Sequence, residues 1–149
     1  MDNKHLKIKL IKKKFSELDD YKSNDHFFLT SNKDLKEVCN APEDGMGVYT
    51  VYRLKDNNID LVYIGSSGKI KTRSNRLADS IINGKQFGSP RRDTWKQKIK
   101  DENIDALDIY WNETFDEEIQ EIPAFFEAFL LQNFFFNLYG MLPLWNKEL

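Results

Sequence analysis

The stretch over residues 47–65 constrains this chain's fold most. Two runs rich in Val, Ile and Tyr, "GVYTVYRL" and "IDLVYIG", flank the polar residues Asp56, Asn57 and Asn58. β-branched and aromatic residues suit a pleated, half-buried surface, and a short polar break between two such runs marks a β-hairpin. The centre of the chain is therefore committed to an antiparallel sheet. The runs also carry two similar phrases, Gly47-Val48-Tyr49 and Tyr63-Ile64-Gly65. Strand tyrosines ordinarily supply core area with a wet hydroxyl. A tyrosine near a glycine on each of two paired strands raises a second reading, the floor of a site.

Helical signals follow the hairpin. In "KTRSNRLADSIING" the apolar Leu77, Ile81 and Ile82 stand at helical spacing, with Gly84 placed to stop the helix. "GSPRRDTWKQKIK" predicts a second helix with Ser89 as cap and Pro90 at its first position. "NIDALDIYWNE" alternates as a third strand, "TFDEE" has the spacing of a capping box from Thr114 to Glu117, and a long apolar helix should follow Pro123. The order ββααβα predicts an α+β domain over 47–149, a small three-stranded antiparallel sheet flanked by helices. Residues 1–46 read as an N-terminal extension packed on or near that domain. Within it, "HLKIKLIKKKF" suits a strand or a basic helix equally, and "SNKDLKEVC" suggests a short helix with Ser31 as cap and Asp34 at its third position.

A chain of 149 residues can bury one sizeable core, and 31% charged residues mark it as soluble. Its one cysteine, Cys39, excludes an intramolecular disulfide. With no signal-peptide pattern in view, a cytoplasmic setting is the default expectation. Residues 125–144 have the length of a membrane span, but Glu127, Gln132, Asn133, Asn137, Gly140 and Pro143 interrupt them, so a buried helix ending near Gly140 is expected and no membrane contact. Charge is segregated. Residues 66–100 hold ten Lys or Arg against two Asp, and residues 101–149 hold one Lys against eleven Asp or Glu. Such separation marks a nucleic-acid surface, or two blocks that pair with each other in the fold.

Glu127 stands out on physical grounds. It is the only charged residue between Ile122 and Asn146, among Phe125, Phe126, Phe129, Leu130 and Leu131. An ionised carboxylate in that setting is costly unless it is paired or bound to a metal ion; the plain alternatives are a single salt bridge to an arginine or a polar gap in the helix's packing. Arg73 and Arg76, three apart, share one face of the helix after the hairpin.

Taken together, Gly-Val-Tyr, Tyr-Ile-Gly, an arginine helix, a glutamate in a late apolar helix and Asn146 in "PLWN" form an ordered series. That series resembles the GIY-YIG nuclease family, which includes the nuclease domain of a bacterial excision-repair protein, homing endonucleases and restriction enzymes. The resemblance covers about residues 47–146. It implies a divalent-metal-dependent DNA endonuclease that hydrolyses phosphodiester bonds with one Mg2+ or Mn2+. It implies that Tyr49 and Tyr63 sit side by side facing the scissile phosphate, with Tyr49 activating water or relaying its proton. It implies Glu127 as metal ligand, Asn146 as a further site residue, and an arginine clamping phosphate oxygens. Position relative to the second glycine selects Arg73 for that role, but the apolar residues that follow favour Arg76, with a three-residue insertion around "SGK" and Arg73 as second choice. Many members carry His or Tyr four residues after the arginine. Here that position is Ser80 or Leu77, so proton transfer falls to tyrosine, aided by Lys69 or Lys71. Lys69, Lys71, Arg91, Arg92 and Lys96 would contact the DNA backbone. The alternatives are a nucleic-acid-binding module that kept this fold without catalysis, and a protein-interaction domain.

Overall fold

The hairpin forms where expected. In the computed structural model, which describes residues 23–67, 76–115, 123–132 and 141–146, β2 (Met46–Lys55) pairs antiparallel with β3 (Asn58–Ser66). Lys55 faces Asn58, so Asp56 and Asn57 form the turn, at φ 51° and 62°. Positive φ at both central positions gives a two-residue turn the twist of its strands, and Asp and Asn tolerate that backbone.

The other elements, in chain order, are β1 (Asn24–Leu29) and α1 (Leu35–Val38) before the hairpin. After it come α2 (Leu77–Asn83), the short pair β4 (Lys85–Gln86) and β5 (Ser89–Pro90), α3 (Arg91–Asp101), β6 (Ala106–Phe115) and α4 (Pro123–Leu130). The fold is α+β with an antiparallel sheet. The sheet has four strands, ordered β1-β6-β2-β3, which corrects the expected three. The fourth comes from the N-terminal extension. Its "NDHFFL" buries Phe27 and Leu29 opposite Ile109 and Leu107 of β6. Cross-strand burial, rather than local propensity, holds this edge.

Alternation gives the sheet two faces. On one, Phe27, Leu29, Tyr49, Val51, Leu107, Ile109 and Trp111 pack in one core cluster with Leu77 and Ile81 of α2 and Trp95 and Ile99 of α3. On the other, Val48 and Ile64 pack with Phe126, Leu130 and Leu131 at α4. Phe28 and Tyr110 stay exposed on that second face.

Three boundary expectations change. Asp34, not Ser31, stands at the N-cap of α1. Ser89 and Pro90 pair with Gln86 and Lys85 across a two-residue turn, so α3 begins at Arg91. Thr114 is fully buried inside β6, where its place in the ladder precludes a cap; Glu117 lies outside the described residues. Among the described residues no helix is long and apolar enough to cross a membrane. The expected helix end near Gly140 lies outside them.

Candidate active site

Across the hairpin Tyr49 faces Gly65 and Val51 faces Tyr63, which puts both tyrosines on the α2–α3 side of the sheet. Their ring centroids are 6.0 Å apart. Gly65 explains how they fit. A Cβ there would lie 2.4 Å from Tyr49 Cζ and 2.5 Å from its hydroxyl, so the glycine of the second phrase is the space for the tyrosine of the first. Gly47 has a different reason. It stands at a bulge where a Cβ would meet the Asn112 carbonyl oxygen at 1.8 Å.

A cleft of about 270 Å³ opens beside the tyrosines, lined by Tyr49, Tyr63, Ser66, Asp79, Ser80, Asn83, Gly84, Arg91 and Glu127. Its cation is Arg91, the first residue of α3. The guanidinium is buried and lies 5.4, 5.2 and 5.6 Å from the ring centroids of Tyr49, Tyr63 and Trp95. It donates to the Ser80 carbonyl at 2.6 Å, the Tyr63 hydroxyl at 2.8 Å and Gln86 Oε1 at 3.3 Å. Gly84 makes room for it, since a Cβ there would lie 1.8 Å from Arg91 Nη1. Gly84 does cap α2, but at φ −57°, so this close approach and not its turn geometry requires glycine. Among the described residues no carboxylate forms a salt bridge with Arg91.

Glu127 reaches the cleft from the other face of the sheet. Helix α4 packs on Val48 and Ile64, and the Glu127 carboxylate accepts from the hydroxyl of Ser66, the last residue of β3, in the wall of the cleft. It is half-buried. Burial holds its carboxyl above the usual glutamate range, against the pull of the Ser66 hydrogen bond and the Arg91 charge. Burial likewise pushes the Tyr49 phenol far up, with Arg91 acting in the opposite direction. Tyr49 is thus a neutral phenol at neutral pH, hydrogen-bonded to the Ser80 side chain. Ser80 in turn donates to the Ser66 carbonyl at 3.1 Å.

The structure therefore brings Tyr49, Tyr63 and Glu127 together with Arg91. Arg76, at the N-cap of α2, is half-buried and is not among the residues that line the cleft. Arg73, Lys69 and Lys71 lie outside the described residues. Asn146 is spent on the sheet: its Nδ2 donates to the Ile64 carbonyl at 2.8 Å and its Oδ1 accepts from the Ile64 N–H at 2.9 Å. From the sequence alone Arg91 reads only as a DNA contact. The signal for its deeper role was present in Gly84, Gly88 and Pro90. Such close-set turn residues mark a tight reversal, which folds the next helix's first side chain back onto the sheet.

Arg92, exposed, donates to the Asn83 amide oxygen at the cleft wall, 3.0 Å. Lys96 pairs with Asp34 at 3.0 Å, outside the acidic C-terminal block. Among the described residues Lys98, 3.6 Å from Glu102, is the basic-block residue that pairs with that block.

Nor do three His, Cys, Asp or Glu side chains cluster among the described residues. The cleft instead offers hard oxygen, Glu127 with Asp79 also in its wall. That suits Mg2+ or Mn2+, which bind through one or two carboxylates and complete their shell with water and substrate phosphate. Compared with known proteins, the chain matches no family model, no curated protein and no solved structure.

Proposed function

We propose that this chain is a divalent-metal-dependent DNA endonuclease of the GIY-YIG type. The observation that carries this reading is the buried Arg91 guanidinium. A buried cation without a carboxylate is costly unless an anion joins it, so the cleft is suited to an anionic ligand. Glu127 in the same cleft would repel that anion unless a cation lay between them. An anion held by arginine, facing a carboxylate that needs a cation, describes a phosphodiester with Mg2+ or Mn2+.

Glu127 would hold the ion, and Asp79 is a second carboxylate in the same cleft wall. When bound, the ion supplies Lewis-acid stabilisation of charge on the phosphoryl and leaving oxygens. Arg91 orients the phosphate and offsets its developing charge with a fixed, desolvated fork. Tyr63 accepts from Arg91, which leaves its own O–H to donate to a phosphate oxygen. Tyr49, being neutral, would orient the attacking water rather than act as a phenolate. Arg92 extends the positive rim for the flanking backbone.

Nicking of supercoiled plasmid across a panel of divalent ions tests the reading. Glu127→Gln should remove nicking by orders of magnitude while leaving metal-free DNA affinity unchanged. Stability gives a second readout. A carboxyl whose folded-state pKa is raised contributes stability below its unfolded pKa and loses it as pH rises through the folded value. Without metal, Glu127→Gln should melt above wild type at neutral pH, and the gap should close below the ordinary glutamate value of about 4.3. Mg2+ should raise the melting temperature of wild type and not of the variant. Wild-type nicking by a folded Glu127→Gln would end the metal-ligand assignment.

A further inference from the structure

A second pocket, of about 430 Å³, adjoins the cleft and shares Tyr63 with it. Several polar groups in its wall are used within the fold. The Tyr63 hydroxyl serves Arg91, the Asn146 amide serves Ile64, and Gln86 bridges Arg91 and the Trp145 carbonyl. Three groups are left over. Lys85 is exposed, with no ion pair among the described residues. The Trp145 indole N–H is buried with no acceptor among them, an uncommon state for a donor. The third is Phe87.

Phe87 and Gly88 form the β4–β5 turn, at φ 56° and 84°. Glycine or asparagine holds such a backbone easily; a bulky side chain there is a genuine outlier. Core burial does not explain it, because the ring is 39% exposed. The ring is nevertheless held in place. Trp145 meets it edge-on, with centroids 5.8 Å apart, and the Lys98 ammonium sits 4.6 Å from its centroid. A strained backbone that presents a propped, exposed aromatic ring beside a cleft points to a ligand with a flat face.

We infer that this pocket takes one nucleobase of the substrate strand, from the nucleotide next to the phosphodiester in the cleft. The base stacks on Phe87, and Lys85 neutralises a flanking phosphate. Only the choice of a nucleic-acid ligand rests on the nuclease reading. A base enters such a pocket from a single strand, or after leaving the duplex stack.

The test is anisotropy of a labelled single-stranded oligonucleotide in EDTA, where nothing is cut. Phe87→Asn removes the ring and suits the turn; Phe87→Tyr keeps the ring. Phe87→Asn should weaken binding about tenfold, and Phe87→Tyr should bind within about twofold of wild type. In a scan of abasic nucleotides, one position should weaken wild type by a similar factor and Phe87→Asn no further. Wild-type affinity in a folded Phe87→Asn, no binding by wild type, or a scan with no Phe87-dependent position would each overturn the inference. The two readings fail separately. Mg2+-dependent nicking with unchanged Phe87→Asn affinity removes the base pocket alone. Phe87-dependent binding by a protein that nicks nothing removes the nuclease alone.

Discussion

The β2–β3 hairpin turns on Asp56 and Asn57, the β4–β5 hairpin on Phe87 and Gly88, and all four residues hold positive φ. Each hairpin is also bordered by a glycine whose missing side chain is replaced by a group of the cleft. The Tyr49 ring fills the space at Gly65, and the Arg91 guanidinium fills the space at Gly84. The supports differ. β2 and β3 are long, rich in β-formers, and locked between β6 and two apolar layers. β4 and β5 have two residues each and little strand propensity, and the Arg91 contacts tie them to the sheet. The tyrosines thus rest on strands that many other core residues also hold, whereas the arginine is itself a main support of its short hairpin.

The largest effect should come from Arg91→Lys. It keeps a positive charge and loses the planar fork that reaches Ser80, Tyr63 and Gln86 together. Single-turnover nicking should fall by about 10²–10³, the usual loss for one preorganised charge stabiliser. If nicking is unchanged while the melt drops, Arg91 is a strut and the comparison collapses.

Gly65→Ala should rank next. Its methyl would lie 2.4 Å from Cζ of the fully buried Tyr49 ring, far inside van der Waals contact. Overpacking of this kind costs about 1–3 kcal/mol, several degrees of melting temperature for a domain of this size. Gly84→Ala should cost a similar amount, since its methyl meets the Ser80 carbonyl as well as Arg91. It should also reduce nicking by pushing the guanidinium off Tyr63. Thermal melts and nicking run in parallel separate the two glycines.

The smallest effect belongs to the β2–β3 turn. Asn57→Gly keeps an easy left-handed position and should shift stability by less than about 0.5 kcal/mol. Asn57→Val should cost about 1–2 kcal/mol. Urea midpoints measure both.

Legibility followed the same division. The hairpin, the helix at 77–83 and the strand at 106–115 were readable because period, composition and stop signals agree locally. Tyr49, Tyr63 and Glu127 were readable as candidates because their chemistry stands out against their neighbours. β1 was not, because its strand character comes from pairing with β6. Arg91 was not, because it looks like one more basic residue in "SPRR" until β4–β5 turns it inward. Asn146 shows the converse: a polar residue near the end of an ordered motif whose two amide atoms both go to backbone.

That last arrangement bears on how the molecule keeps to itself. β3 is an outer strand, and such strands offer unpaired N–H and C=O groups to any passing chain. Here both outward groups of Ile64 are taken by the Asn146 side chain, and the Val62 carbonyl accepts from the Trp145 backbone N–H at 2.9 Å. Two residues near the C-terminus thereby do the work of a fifth strand. They leave this stretch of the edge with fewer backbone groups to offer a neighbouring strand.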